Sequence, residues 1–193
     1  MFQEATTFSE ELIRISVLLE EQWYNGINEA WKYVQENNYK MMKKVLDNLH
    51  FKTDKKNIKT INEIGFFQQF GTGLSKAKEL MDLYFIHENE IFLTQAWNFY
   101  ADFYRVIEKR FENFQCIYLE NISKKLLDFK NSQLLVPGVI KHKNIYIRKI
   151  HSVLHILKSK RKPRKMALFG TNNKKYFFLL KGNEDLRQDE RVM

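Results

Sequence analysis

The residues best placed to do chemistry lie near the end of the chain. A dense apolar run, Tyr176-Phe177-Phe178-Leu179-Leu180, stops at Lys181 and Gly182. The segment after it carries Glu184, Asp185, Asp189 and Glu190 among helix-forming residues. A lysine at the end of a buried strand, with carboxylates on the next element, suits phosphate handling. The ammonium is a point charge against phosphate, and a neighbouring carboxylate fixes its position. The same spacing also allows an ordinary surface ion pair between Lys181 and Asp189, which is worth little. Gly71-Thr72-Gly73 lacks the G-x-x-x-x-G-K-[ST] string of a phosphate loop and reads as a bend or a tight contact interrupting a helix. His151 and His155 have an i, i+4 spacing, but they fall in a strand-like region without a third ligand nearby.

Composition bounds what can position these groups. A chain of 193 residues suffices for one or two domains with cores of their own. Its 44% hydrophobic and 28% charged content reads as globular, and its 16 Phe and 9 Tyr predict an aromatic-rich core. Cys116 is the single cysteine, which excludes an internal disulfide and fits a reducing compartment. No secretory pattern opens the chain, and no apolar run approaches the ~20 residues of a membrane helix, so the expectation is a soluble intracellular chain. The net charge of +9 is unevenly spread: residues 1–128 hold 16 Lys+Arg against 19 Asp+Glu, and residues 129–193 hold 16 against 4. A basic block of this kind fits nucleic acid, a membrane surface or a nucleotide phosphate.

Periodicity divides the chain into helices and then strands. Thr7 and Glu10 have capping-box spacing, and Leu12, Ile15, Leu19, Trp23, Ile27, Ala30 and Val34 recur at intervals of three or four. This predicts one long helix closed by Asn37-Asn38. A second helix is expected from Tyr39 to about Phe51, a third after the Thr60/Glu63 capping box, and a fourth from about Ile91 to Phe111, with Phe99 in the core. The fold class is therefore α+β: a four-helix up-and-down bundle over residues 8–112, a linker over 113–133, and a partial antiparallel sheet over 134–193. In the last part, Leu135–Val139, Asn144–Ile150, Val153–Leu157, Met166–Phe169 and Tyr176–Leu180 are strand-like. Gly170-Thr171-Asn172-Asn173 is hairpin turn chemistry.

Several strings then resemble one family in the order that family uses them. ELIR (11–14), EQWYNGINEA (21–30), LTQAWNFY (93–100) and Arg105 resemble the FRB domain of TOR serine/threonine kinases, which belong to the phosphatidylinositol-kinase-related kinases. LLVPG (134–138), SKRKPRK (159–165), LFGTN (168–172) and LLKGNEDLRQDERVM (179–193) resemble the start of their kinase N-lobe. The resemblance implies that Lys181 binds ATP phosphates, with Asp189 and Glu184 as carboxylate partners. It implies that Leu157–Pro163 covers the phosphates, with Ser159 and Arg161 close by and Leu157 among the nucleotide-binding residues, and that Leu179 touches the adenine. ATP with Mg is the implied cofactor of the full-length protein, acting in nutrient and growth signalling. The family's catalytic base and metal ligands lie beyond the LRQDERVM run. The chain ends before them and is expected to be inactive alone.

For the bundle the resemblance implies a groove lined by Ile27, Trp31, Val34, Thr94, Trp97, Asn98, Ala101, Tyr104 and Arg105. It would recruit protein substrates, bind a rapamycin–immunophilin complex, and take acidic lipid near Arg105. TOR-complex subunits are the implied partners, nucleic acid is not, and the implied location is the cytoplasm and endomembrane surfaces. Four positions depart from the pattern: Asn183 stands for a His, Asn98 for an Asp, Trp31 for a small residue of rapamycin-sensitive members, and Ala101 for an aromatic. With Trp31 and Ala101 there, drug-dependent binding is expected to be poor. The alternative reading is a non-catalytic module that uses the bundle groove for protein or acidic lipid.

Overall fold

The computed structural model describes residues 2–139, 144–159 and 161–182. The chain divides into two compact units: Leu18–Phe114, and the described residues of Met1–Val17 with Gln115–Met193.

The single long helix expected from Thr7 is two helices, α1 (Phe2–Ser16) and α2 (Leu19–Gln35). Thr7 lies inside α1 rather than at its start. The apolar stripe hides the break because Ile15, Leu19 and Trp23 keep helical spacing across it, and all three are buried. Leu18 is extended, and its N–H donates to the Glu21 carboxylate at 2.9 Å. Glu21 thereby satisfies an amide that a continuous helix would have bonded internally. Helices α3 (Tyr39–Lys52), α4 (Ile61–His87) and α5 (Glu90–Glu112) complete the first unit.

Thr60 caps α4: its hydroxyl accepts from Glu63 N–H at 3.2 Å, and Glu63 Oε2 accepts from Thr60 N–H at 2.9 Å. Gly71 and Gly73 do not interrupt α4, which is continuous through both. A Cβ on Gly71 would lie 3.1 Å from the Phe67 ring of the same helix, so the glycine makes room for that side chain. The core of this unit gathers Trp23, Leu46, Phe66, Tyr100 and Phe103. The Trp23 indole donates to Thr53 Oγ1 at 2.7 Å, so its N–H is satisfied although the ring is fully buried. Phe99, expected in the core, is partly exposed beside Gly73 of α4.

The second unit is a five-stranded antiparallel sheet with α1 and two short helices. Residues 113–133, expected to be a connection, hold β1 (Cys116–Tyr118), α6 (Leu119–Ile122) and α7 (Lys124–Leu127). The other strands are β2 (Ile147–Ile150), β3 (Val153–Ile156), β4 (Arg164–Gly170) and β5 (Lys175–Leu180). Leu135–Val139 contributes only an isolated bridge, Leu135 to Tyr146. Strand β4 is central. One edge pairs with β5 from Arg164↔Leu180 to Phe169↔Lys175, and the other is shared by β3 and β2. The β4–β5 turn is the one expected: Asn173 takes φ 63°, and Gly170 N–H donates to the Lys174 carbonyl at 2.9 Å. Among the described residues, no helix is long and apolar enough to cross a membrane.

Candidate functional site

The sheet brings one set of expected residues to one end. Ile156, Arg164 and Leu180 form a row across β3, β4 and β5. The residues just beyond that row, the loop 157–163 on one side and Lys181 on the other, leave the sheet at the same end. Leu157 N–H donates to the Pro163 carbonyl at 3.0 Å and closes the loop's neck. Lys162 N–H donates to the Ser159 carbonyl at 3.2 Å, and Lys162 takes φ 44°, so the tip is a tight turn carrying Ser159 and Arg161, both exposed.

The next row, His155, Lys165 and Leu179, sets one face, because directly paired residues project to the same side. Leu179 is 47% exposed and Leu157 40% exposed. The period of two puts Leu157 on the His155 side of its strand, hence on the Leu179 face. Lys181 is half-buried. Strand β5 is not the buried strand the apolar run predicts: its residues alternate between exposed and half-buried, and Phe177 is 57% exposed. The face that carries Lys175, Phe177 and Leu179 is exposed, so the run of aromatics does not mark full burial. Asp189 and Glu184 lie outside the described residues.

Two residues of this end escaped the sequence reading. Arg164 is almost completely buried at the start of β4, and its Nη1 donates to the Lys162 carbonyl at 2.6 Å. It ties the loop tip back to the sheet. Its only sequence signal is parity, since it shares a face with buried Met166 and Leu168. Phe177 shares a face with Leu179, and the Lys165 ammonium sits 4.6 Å from its ring centroid.

Some of the residues expected to line a groove on the helices come together. Helices α2 and α5 run antiparallel, as contacts from Trp31 with Trp97 to Tyr24 with Tyr104 and Arg110 with Glu20 show. Trp31, 48% exposed, meets Trp97 edge-on at 5.2 Å and 76°. The Trp97 indole N–H is buried with no hydrogen-bond partner among the described residues. Tyr24 stacks on Tyr104 at 4.5 Å, and Asn28 Nδ2 donates to the Tyr104 hydroxyl at 3.3 Å. Burial, with Tyr104 and Glu108 alongside, pushes the Tyr24 phenol up from its ordinary pKa. Tyr24 also escaped the sequence reading, because it stands one residue off the apolar stripe.

Ile27 is buried in the core, Val34 and Ala101 are half-buried, and Thr94 and Asn98 are exposed. Arg105, whose side chain is 73% exposed, pairs with Asp102 at 3.2 Å one turn away. That exposed pair is salt-screened and weak.

Comparison with known proteins matches residues 11–109 to the model of the FKBP12-rapamycin binding domain. The whole chain is 36% identical over 196 residues to the serine/threonine-protein kinase tor1 of Schizosaccharomyces pombe. It is 37% identical over 199 residues to the serine/threonine-protein kinase TOR of Arabidopsis thaliana, and 36% over 196 residues to mTor of Drosophila melanogaster. It spans 8% of the length of each.

Proposed function

The chain belongs to the TOR family of serine/threonine kinases and carries its FKBP12-rapamycin binding domain, and from that premise we propose that it is the bundle and the opening strands of an ATP-binding lobe. The full protein would transfer the γ-phosphate of ATP to Ser/Thr of protein substrates. The observation that carries this reading is the common sheet end of Lys181 and the loop 157–163. Continued strand alternation would put Lys181 on the Leu179 face. An ammonium there, with the basic loop opposite, would neutralise a polyphosphate, while Leu157 and Leu179 offer exposed apolar surface to the adenine. Ser159 and Arg161 would reach the phosphates from the loop tip. Asp189 and Glu184 are proposed to pair with Lys181.

Phosphoryl transfer also needs a base and metal ions. Among the described residues no group of three His, Cys, Asp or Glu comes together. The chain's own part would be to bind and orient nucleotide. Lys181→Met in the full-length protein should lower phosphotransfer by at least about 100-fold, as expected for loss of a phosphate-clamping charge. Retained activity would overturn the reading. The 193-residue chain alone should show no transfer.

The bundle groove is proposed to recruit protein segments through Trp97 and Tyr104, in complexes with other subunits. Trp31 covers Trp97, so its indole would occupy the space that a rapamycin–immunophilin complex needs, and Ala101 offers no aromatic wall. Titration of the Leu18–Phe114 unit with rapamycin and FKBP12 should give no nanomolar ternary complex. Trp31→Ser should tighten binding at least about tenfold, the effect of relieving a blocked aromatic contact.

A further inference from the structure

Lys181 stands one residue past the last β4–β5 pair. What lies against the chain there is α1. A Cβ built on Gly182 would fall 2.7 Å from the Ser16 carbonyl oxygen and closer still to Val17 Cγ2. One of these obstacles is backbone and the other a stiff β-branched side chain, so neither can move aside at low cost. The glycine is needed for space.

The helix supplying this contact is itself anchored in the sheet unit. The Glu11 carboxylate is buried and accepts from Ser123 Oγ at 2.6 Å and from Arg14 Nη2 at 2.5 Å. Arg14 Nη2 also donates to the Ile122 carbonyl at 2.5 Å. Phe8 packs on Phe129 at 5.1 Å. Burial alone would push the Glu11 carboxyl up, but the hydrogen bonds from Arg14 and Ser123, with the charges of Arg14 and Lys125, outweigh it and hold the pKa below the ordinary value. These contacts attach α1 to α6 and α7, which follow directly from β1 at the edge beside β3. The far end of α1 meets Gly182.

We infer that Gly182 and the last turn of α1 are a positioning device for the Lys181 ammonium: the backbone lies on Ser16 and Val17, and α1, held by Glu11, keeps it there. This inference rests on the reading that Lys181 meets ATP phosphate. A misplacement of about 1 Å in a binding group can lower rate on the order of 100-fold.

The test uses the full-length kinase that contains this chain. Steady-state kinetics in ATP are measured beside labelling of Lys181 by an ATP acyl-phosphate probe, read by mass spectrometry. Gly182→Ala should raise the KM for ATP about tenfold or more, with a smaller change in kcat, and should lower Lys181 labelling in parallel. Glu11→Gln, which leaves the strand untouched, should shift KM in the same direction by about threefold. A merely structural role would lower the yield of active enzyme and leave KM unmoved.

Unchanged KM and labelling in Gly182→Ala, with Lys181→Met inactive, overturns the inference and spares the ATP reading. Full activity of Lys181→Met sinks the reading itself. Should Gly182→Ala fail to fold, Glu11→Gln decides: an unchanged KM overturns the inference.

Discussion

His50 shows how a single side chain in this protein acts through its surroundings. Its Nε2 and the Tyr100 hydroxyl are hydrogen-bonded at 2.8 Å, and its ring packs edge-on against Trp23 at 5.0 Å. Burial is the main reason its pKa falls to about 4, with the Lys78 and Lys43 charges adding to the effect and Asp82 opposing it. The folded value lies below the unfolded one, so the unfolded chain takes up a proton first as pH drops. Stability is therefore complete above about pH 6.5 and declines down to about pH 4, below which both states are protonated. The loss should reach at most about 3 kcal/mol, since each pKa step is worth about 1.4 kcal/mol. Urea titrations at pH 7 and pH 4.5 should show it, and His50→Gln should flatten the dependence. An equal pH slope in the variant would assign the effect elsewhere. The Trp31 and Gly182 substitutions belong to the same scale: one side chain fills a space, and one is absent so that a backbone can approach.

At the scale of elements, α4 is where local propensity and packing disagree. It continues as a helix through three glycines, Gly65, Gly71 and Gly73, although each is worth about 1 kcal/mol less than Ala in a helix interior. Gly71 is explained by the Phe67 ring. Nothing lies within 4 Å of a Cβ at Gly65. Gly65→Ala should therefore stabilise the unit by about 0.5–1 kcal/mol, visible as a higher urea midpoint with an unchanged slope. A destabilised variant would mean that the open space is not open in solution. Helix α1 makes the opposite point. Its sequence continues the stripe of α2, yet its buried residues Glu11, Ile15 and Ser16 belong to the sheet unit.

For the whole molecule, the order of the chain is α1, then the helical unit, then β1, so the Leu18–Phe114 unit is inserted within the sequence of the sheet unit. Each unit has buried residues of its own. Trp23, Trp31 and Trp97 are all the tryptophans and all fall in the inserted unit, so their fluorescence reports that unit alone. Excised Leu18–Phe114 should unfold in one cooperative transition with the fluorescence midpoint it has in the whole chain. Deletion of residues 1–17 should leave that midpoint in place while lowering the stability of the sheet, followed by far-UV circular dichroism. A deletion that shifts the tryptophan transition instead would show that α1 stabilises the inserted helices.

What the sequence determined by itself were features set by neighbours along the chain. The apolar periods placed most helix and strand cores, the Thr60–Glu63 box marked the start of α4, and Gly170–Asn173 marked the β4–β5 turn. The ordered strings that resemble TOR kinases pointed to the family that the comparisons then supported. Tertiary structure decided what depends on long-range partners. The break at Val17 and Leu18 keeps helical spacing on both sides, so no pattern betrays it until Glu21 is seen to take the Leu18 amide. Strand β5 looks buried by composition, but burial depends on which faces find neighbours. Arg164 looks like one more surface cation, yet the loop carbonyl it holds is defined only once β3 and β4 have paired. Gly182 is a lone glycine in sequence, and its reason is α1, which arrives from the other end of the chain.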